Sequence, residues 1–174
     1  MASRMTNRWR KTGSRMALAG AALATLGLAT AAPAIAQYRQ EIRNDVRQCA
    51  GEAGPAVLVT VNGVSTSTGV VRVQAYRATA GDWLQKGRWL SRIEEPARAG
   101  TMTFCVPLPA AGNYGIAVRH DANGNGKTDL RQDGGGMSNN PSINIFNLGR
   151  PSYTSTAIPV GNTVSSIRIR MRYM

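Results

Sequence analysis

Apolar and polar residues alternate through most of the chain after Pro55, and this two-residue period predicts β-strands. The alternation is present in residues 57–61, 71–76, 101–106, 113–120 and 166–173, with a short proline-containing stretch at 158–160. Short strands separated by turn residues, with no helical repeat, are typical of two packed sheets. We therefore predict an all-β domain over residues 55–174, built as a two-sheet sandwich of about seven strands.

Several other stretches lack this period. Residues 38–49 place Ile42, Val46 and Cys49 at helical spacing, which predicts one short N-terminal helix. Asn62-Gly63 predicts a turn. Residues 82–99 predict a loop with a short helix, and we expect the two tryptophans there to cover the sheet rather than to bind a ligand. Residues 121–141, rich in Gly and Asn, predict a long ordered loop.

The first 36 residues have the three parts of a secretory signal peptide. Five basic residues and no acidic residue accompany an Ala/Leu-rich run over residues 16–32, and Ala34-Ile35-Ala36 supplies a small-residue cleavage site. An uncleaved anchor is the alternative, but the run is near the lower limit of about 17–25 residues for a spanning helix. We expect cleavage after Ala36, a periplasmic or secreted protein, and an N-terminal segment at residues 37–54.

The net charge of +12 is partly a property of the signal segment. Of 21 Lys and Arg residues, five lie in residues 1–36, which leaves 16 against nine acidic residues and a net charge of +7. No Lys/Arg cluster interleaved with aromatic residues follows, so the sequence does not predict nucleic-acid binding. Arg168, Arg170 and Arg172 form one side of the last strand. We expect a solvated face there, and contact with anionic lipid or polysaccharide is the alternative.

Two cysteines, Cys49 and Cys105, remain after the signal segment. An even number of cysteines in an oxidising compartment favours a disulfide, and two buried free thiols are the alternative. A bridge would tie the N-terminal segment to the middle of the domain. In the chain-entropy model it would stabilise the fold by about 3–5 kcal/mol.

Oxygen-bearing side chains recur at alternate positions in residues 121–129, which we call the Asn/Gly loop. This spacing resembles that of calcium-binding loops, and Gly126 lies where such a loop turns sharply. The candidate ligands are the side chains or, for the lysine, the backbone carbonyl of Asp121, Asn123, Asn125, Lys127 and Asp129. The sequence therefore predicts a candidate Ca²⁺ site in this loop.

The loop departs from an EF-hand in ways that predict weak affinity. Position 12 is Gln132 rather than Glu, and a strand rather than a helix precedes the loop. Lys127 also offsets part of the negative charge, so we expect a dissociation constant of about 10⁻⁴–10⁻³ M. A metal-free loop held by Asx turns is the alternative, since Asn, Asp and Gly are common turn residues.

Several motifs resemble those of the bacterial domain of unknown function 2141 family. Residues 108–129 are similar to its L-P-x-G-x-Y motif, the strand that follows, and its H-D-x-N-x-N-G-K-x-D motif. Residues 136–140 resemble its G-x-S-N-N, and Pro151-Ser152-Tyr153 with Ala157 resembles its last motif. The resemblance covers about residues 55–172, and the two cysteines and the N-terminal segment depart from it. It implies a secreted or periplasmic sandwich, transthyretin-like or immunoglobulin-like, with no known activity.

These features together predict a non-enzymatic binding or structural module of the envelope or extracellular space. Its contact surface would combine the Asn/Gly loop with Ser138, Asn139 and Asn140, and its partner would be an envelope polysaccharide, lipid or protein. The alternative is a secreted hydrolase that uses His120 and Asp121. Adjacent strand residues point to opposite faces and no nucleophile motif is present, so we favour the binding module.

Overall fold

The computed structural model describes residues 38–51, 54–129, 131–143 and 149–174. The predicted signal peptide and its cleavage site lie outside these residues. In the part that is described, no helix has the length and apolar character needed to span a membrane. The predicted β domain, by contrast, falls almost entirely within the described ranges.

The described part of the chain folds into ten strands and two single helical turns. The strands are β1 (Gln40–Glu41), β2 (Ala56–Val64), β3 (Val70–Arg77), β4 (Ser91–Pro96), β5 (Gly100–Pro107), β6 (Gly112–Asp121), β7 (Gly134–Met137), β8 (Ile158–Val160), β9 (Val164–Arg170) and β10 (Arg172–Tyr173). The helical turns are a 3-10 turn at Val46–Cys49 and α1 at Tyr153–Thr156. The long strands β2, β3, β5 and β6 coincide with the alternating stretches, which confirms the all-β prediction.

The strands form two sheets that pack as a sandwich, as predicted. The seven-stranded sheet has the order β1-β4-β3-β6-β7-β10, and β8 pairs with the start of β6. The three-stranded sheet has the order β5-β2-β9. Most neighbours are antiparallel, whereas β1 is parallel to β4 and β2 is parallel to β9.

One continuous core contains residues from both sheets. Val59 of β2, Val73 of β3, Phe104 of β5 and Ile116 of β6 have no exposed surface. Because side chains alternate along a strand, the period of two in the sequence places such residues on a single face. Burying each of them contributes about 1.5–3 kcal/mol, so this shared face stabilises the sandwich.

Two strands lie where the sequence predicts loops. β4 falls in the stretch expected to be a loop with a short helix, and β7 falls in the expected long loop. Ile93 is the buried aliphatic residue of β4, and β7 consists of three glycines and Met137. Both strands are defined by backbone pairing to β3 and β6, which an apolar pattern cannot reveal. The estimate of about seven strands is therefore low.

Two local predictions also differ from the structure. Asn62-Gly63 is not a turn, because both residues lie inside β2, where the pairing to β5 shifts between Asn62 and Val64. Gly63 has a φ of 81°, which a glycine adopts without strain and which suits a β-bulge. In the segment predicted to be an N-terminal helix, the helical part is limited to the 3-10 turn, and β1 precedes it.

The last strand of the sequence is divided between the two sheets. β9 pairs with β2 in the three-stranded sheet and ends at Arg170, whereas β10 pairs with β7 in the seven-stranded sheet. The predicted row of Arg168, Arg170 and Arg172 is therefore split. Arg172 joins the larger sheet, and the other two arginines stay on the smaller one.

Cys49 and Cys105 form the predicted disulfide, with 5.6 Å between their Cα atoms. The side chain of Asn44 donates a hydrogen bond to the carbonyl of Thr103 at 2.9 Å and accepts one from the backbone N–H of Cys105 at 3.1 Å. β1 meanwhile pairs with β4 of the other sheet. The N-terminal segment thus contacts both sheets along one side of the sandwich.

Candidate functional site

Strand β6 crosses the middle of the seven-stranded sheet and presents different residues on its two faces. Tyr114, Ile116 and Val118 are buried in the core. Ala117 and Arg119, which alternate with these residues along the strand, are partly exposed on the opposite side. We call the side of this sheet that faces away from the core the outer face.

Three arginines and one glycine lie next to each other across the outer face. Arg72 of β3 pairs with Arg119 of β6, Arg119 pairs with Gly135 of β7, and Gly135 pairs with Arg172 of β10. We call these four residues the arginine row. Neighbouring strands are about 4.8 Å apart, so the row crosses roughly 15 Å of the sheet. It places positive charge along a line perpendicular to the strands.

The glycines of β7 show why this row contains a gap. A Cβ atom at Gly134 would meet the ring of Tyr173, and one at Gly136 would lie 2.7 Å from the side chain of Ile169. A Cβ atom at Gly135 would have no heavy atom within 4 Å. Packing therefore requires glycine at the two inward positions. The outward position leaves open space between two arginines.

This gap is part of a groove of about 450 Å³ on the outer face, which we call the outer groove. Small-molecule sites typically have volumes of roughly 300–1,000 Å³. Its lining combines the arginine row, a fourth arginine, Arg150, and one carboxylate, Asp133, with the apolar side chains of Leu84, Ala117, Met137 and Ile143. One part of the groove is therefore cationic and another part is apolar.

Two arginines of the row have carboxylate partners. Arg72 forms an ion pair with Glu94 of β4. Arg119 forms one with Asp121, with 3.2 Å between Nη2 and Oδ2. These pairs offset the charge of the first two members of the row and hold their side chains in place.

The other two arginines of the groove have no carboxylate partner among the described residues. Arg150 donates a hydrogen bond to the carbonyl of Leu84 at 2.9 Å, and neither Arg150 nor Arg172 forms an ion pair in the described part of the chain. The positive charge also reaches Tyr76. Burial raises the pKa of its phenol, although the charges of nearby arginines, Arg150 among them, act in the opposite direction.

The Asn/Gly loop begins at the end of β6 and is held by hydrogen bonds at regular spacing. The backbone N–H of Gly126 donates to Asp121 Oδ2 at 2.8 Å. The N–H of Asn125 donates to Asn123 Oδ1 at 3.1 Å, and the N–H of Lys127 donates to Asn125 Oδ1 at 2.7 Å. These are Asx-type turns, so the residues predicted as calcium ligands also determine the loop conformation.

Two further carboxylates close the loop. Asp129 Oδ2 accepts hydrogen bonds from the side-chain amides of Asn123 at 3.0 Å and Asn125 at 2.7 Å, and these bonds lower the pKa of Asp129. Asp133, which the sequence analysis does not place in the site, accepts the N–H of Ala122 and the N–H of Asp129. Asp133 is 7% exposed, so a buried carboxylate supports the base of the loop.

The guanidinium of Arg119 extends from the outer groove to the Asn/Gly loop. It donates to Asp121 Oδ2, to the carbonyl of Gly126 at 3.3 Å and to Thr128 Oγ1 at 3.0 Å. Its Nε and Asp121 Oδ1 are both buried without a hydrogen-bond partner. Among the residues described, no three His, Cys, Asp or Glu side chains form a metal-binding group. A bound cation could therefore use Asp121 Oδ1 but would compete with the charge of Arg119.

The predicted contact residues after β7 make structural hydrogen bonds. Ser138 has no exposed surface, and its hydroxyl accepts the N–H of Ile116 and donates to the carbonyl of Thr156. The amide of Asn139 donates to the carbonyl of Ala157 at 2.9 Å. Asn140 accepts the N–H of Arg170 at 2.7 Å and donates to the carbonyl of Arg168 at 2.9 Å. These side chains join β7 to neighbouring segments.

His120 and Asp121 are separated by the sheet. His120 has no exposed surface, and its Nδ1 and Nε2 lie 2.8 Å from the hydroxyl of Tyr173 and from the carbonyl of Thr68 respectively. Asp121, the next residue, bonds to the loop and to Arg119. The two side chains therefore do not form a hydrogen-bonded acid–base pair.

The tryptophans of residues 82–99 are packing residues, as expected. Trp83 and Trp89 are each 6% exposed. The indole Nε1 of Trp83 donates to the carbonyl of Pro151 at 2.8 Å, and its ring stands edge-on to Tyr76. A Cβ atom at Gly115 would meet this ring, so β6 has a glycine where the loop covers the outer face.

Sequence reasoning did not find the arginine row or Arg150. The four arginines are far apart in sequence, and only the pairing of β3, β6, β7 and β10 brings three of them into one line. The run of three glycines at residues 134–136 is a signal that could have indicated an unusually close-packed strand.

Fold and site together define a two-sheet β-sandwich with a basic groove and an Asx-turn loop on its larger sheet. A family model described as "Uncharacterized protein conserved in bacteria (DUF2141)" matches residues 59–168. The chain therefore belongs to this family, which confirms the resemblance. No curated protein and no solved structure matches the chain.

Proposed function

We propose that the protein is an exported, non-catalytic binding module and that the outer groove is its ligand site. The observation that carries this proposal is a groove of about 450 Å³ in which Arg150 and Arg172 have no ion-pair partner within the described residues. Guanidinium groups without carboxylate partners at a concave surface attract anions. The ligand we expect is therefore negatively charged.

The environment of His120 supports binding rather than hydrolysis. Both of its ring nitrogens form hydrogen bonds, one with the hydroxyl of Tyr173 and one with the carbonyl of Thr68, and neither faces the outer groove. A general base must come within hydrogen-bond reach of the proton that it removes. His120 could do so only after the sheet opened.

Export is supported by the disulfide and by the signal-like first 36 residues. A bridge between Cys49 and Cys105 suits an oxidising compartment such as the periplasm. N-terminal sequencing of the protein from a periplasmic or culture fraction tests this part. We expect the sequence to begin at Gln37, and a full-length protein confined to the cytoplasm would contradict the proposal.

Weak calcium binding by the Asn/Gly loop remains part of the proposal. Asp121 Oδ1 is buried and unpaired, and Gly126 already bonds to the other oxygen of the same carboxylate. The nearby charge of Arg119 opposes a cation, which is consistent with a dissociation constant of about 10⁻⁴–10⁻³ M. Calcium would organise the loop rather than take part in a reaction.

A small panel of anions tests the binding function. The purified protein is heated with fatty carboxylates, acidic oligosaccharides or sugar phosphates, and we expect at least one class to raise its Tm. The double variant Arg150→Gln/Arg172→Gln should lose this shift, whereas Arg168→Gln, an exposed charge on the other sheet, should retain it. No shift with any class would contradict the proposal, and turnover of a substrate in a hydrolase screen would favour the enzyme alternative.

A further inference from the structure

We propose that the outer groove binds a long-chain fatty carboxylate, with the headgroup over Gly135 and the chain along the apolar part of the groove. This inference rests on the proposed binding function and names its ligand class. Three features of the groove carry it: the gap in the arginine row, the apolar residues beside that row, and the lack of a ring surface for a sugar among the described residues that line it.

The first feature is a space of the right kind for one anionic headgroup. Gly135 lies between Arg119 and Arg172 in the strand register, and no heavy atom lies within 4 Å of where its Cβ would be. The two arginines are two strands apart, about 10 Å at the backbone. Arg119 is held on one side of the glycine, and the long side chain of Arg172 can reach over the glycine from the other side, so that one carboxylate would lie between two guanidinium groups.

The side chains of these two arginines are held in different ways. The side chain of Arg172 has neither a hydrogen bond nor an ion pair in the described part of the chain. Arg119 is anchored by Asp121 and the Asn/Gly loop, yet its Nε remains buried without an acceptor. One arginine is thus held in position and the other is free to close over a ligand.

The second feature is the apolar surface next to the row. Two residues along from Arg119 and Gly135, the same face carries the paired residues Ala117 and Met137. Leu84 and Ile143 line the groove on the loops beside them. A hydrocarbon chain that leaves the headgroup site along the strands would lie on these side chains. Removing apolar surface from water would contribute about 25 cal/mol per Å².

The third feature distinguishes this ligand from a polysaccharide. The described residues that line the groove include no Trp, Tyr or Phe, and Trp83 and Trp89 are already buried by packing. Amphipathic rings that present a flat apolar face are the side chains that would suit a sugar ring. A combination of unpaired arginines with aliphatic side chains instead suits an anion joined to an alkyl chain.

The test is calorimetric titration of the purified protein with hexadecanoate below its micellar concentration. We expect saturable binding with one site. Gly135→Leu, whose Cβ has no heavy atom within 4 Å, places a side chain in the gap and should weaken binding at least about tenfold, and Arg172→Gln should weaken it by about tenfold. Arg168→Gln removes the same charge from the three-stranded sheet and should leave the affinity unchanged.

Two further ligands separate the contributions of headgroup and chain. Acetate has the headgroup alone and should bind far more weakly, and hexadecyltrimethylammonium has the same chain with a positive charge and should not bind at this site. Equal binding of the cation, or hexadecanoate binding that is unaffected by both Gly135→Leu and Arg172→Gln, would overturn the inference.

The failure of this inference can be distinguished from failure of the binding function. If hexadecanoate does not bind but another anion raises the Tm in a manner sensitive to Gly135→Leu, the groove is a binding site with a different ligand. If no anion binds, the proposed function itself is wrong. The Tm of Gly135→Leu without ligand reports whether the variant is folded, and Arg172→Gln provides the test if it is not.

Discussion

Arg119 and His120 are consecutive residues of β6 that occupy opposite faces of one sheet. The polar atoms of their side chains differ in how they are hydrogen-bonded. His120 lies in the core with both ring nitrogens bonded to protein groups. Arg119 reaches across the outer face and retains a buried Nε without an acceptor. The glycines of β7 show the same division, because Gly134 and Gly136 are packed tightly whereas Gly135 faces open space.

This contrast indicates which residues specify the fold and which are available for binding. Buried polar groups on the inner face must be paired, because an unpaired buried group costs about 1–3 kcal/mol. On the outer face, two arginines of the groove have no carboxylate partner among the described residues, and a gap lies beside one of them. The four predictions that follow test this division, beginning with the largest expected effect.

Replacing His120 with Ala should destabilise the protein by about 2–4 kcal/mol, because it leaves a cavity and removes bonds to Tyr173 and Thr68. Urea unfolding measures the free energy. Arg168→Ala, an exposed substitution on β9, should change it by no more than about 0.5 kcal/mol. Equal effects of the two substitutions would contradict the assignment of His120 to the core.

Adjacent glycines of β7 should respond oppositely to alanine. Gly136→Ala brings a Cβ to 2.7 Å from Ile169 and 2.9 Å from the carbonyl of Arg170, and should destabilise the protein by about 1–3 kcal/mol. Gly135→Ala meets nothing and should be neutral or stabilising by up to about 1 kcal/mol, because glycine in a strand costs conformational entropy. Thermal unfolding measures the stability of both variants. A large loss of stability in Gly135→Ala would show that the gap is filled.

The stability of the fold should depend on the charge of Asp82, which lies in the loop between β3 and β4 that covers part of the outer face. Burial raises the pKa of Asp82, but hydrogen bonds from Thr79 and Tyr38 and the charge of Arg88 outweigh it, so the pKa lies below its ordinary value. The ionised form is therefore favoured in the folded state. Its stabilisation is present above the unfolded-state pKa of about 3.9 and is lost as the pH falls through the lower folded-state value.

We therefore expect Asp82→Asn to be less stable than the parent by about 1 kcal/mol at pH 7. This difference should shrink as the pH is lowered below about 4. Urea unfolding at several pH values provides the measurement. Glu95→Gln is the matched control, because the side chain of Glu95 has no hydrogen bond or ion pair in the described part of the chain. A difference that grows in acid would reverse the assigned direction.

The smallest expected effect is that of calcium on the loop. With a dissociation constant near 10⁻³ M, 1 mM calcium would stabilise the protein by about 0.4 kcal/mol. Asp121→Asn should abolish this gain, and magnesium chloride at the same concentration controls for ionic strength. A parent Tm that calcium leaves unchanged up to 10 mM would favour the metal-free Asx-turn loop.

The strands that could be predicted from the sequence are those in which apolar and polar side chains alternate. In β2, valines at positions 57, 59 and 61 gave a clear period, and β3, β5 and β6 were found in the same way. β7 has three glycines and β4 has one buried aliphatic residue, so neither has a pattern. The disulfide followed from the number of cysteines and the signal segment.

The outer groove could not be predicted from the sequence for a different reason. Arg172 was placed with Arg168 and Arg170 because they alternate in one stretch of sequence, yet the chain changes sheets at Met171. Only that change brings Arg172 beside Gly135. The existence of a single strand can be inferred from the local sequence. A site assembled across four strands depends on how those strands pair and in which register.

The N-terminal segment has a consequence for how copies of this protein behave in crowded surroundings. β4 and β5 would each be an outermost strand on the same flank, and such strands recruit other chains through their free backbone groups. β1 covers the first, and Asn44 with the Cys49–Cys105 bridge occupies the second. Reducing this disulfide would loosen the contact between the N-terminal segment and β5. Thiol-containing buffers should therefore promote self-association under conditions in which the sandwich is still folded.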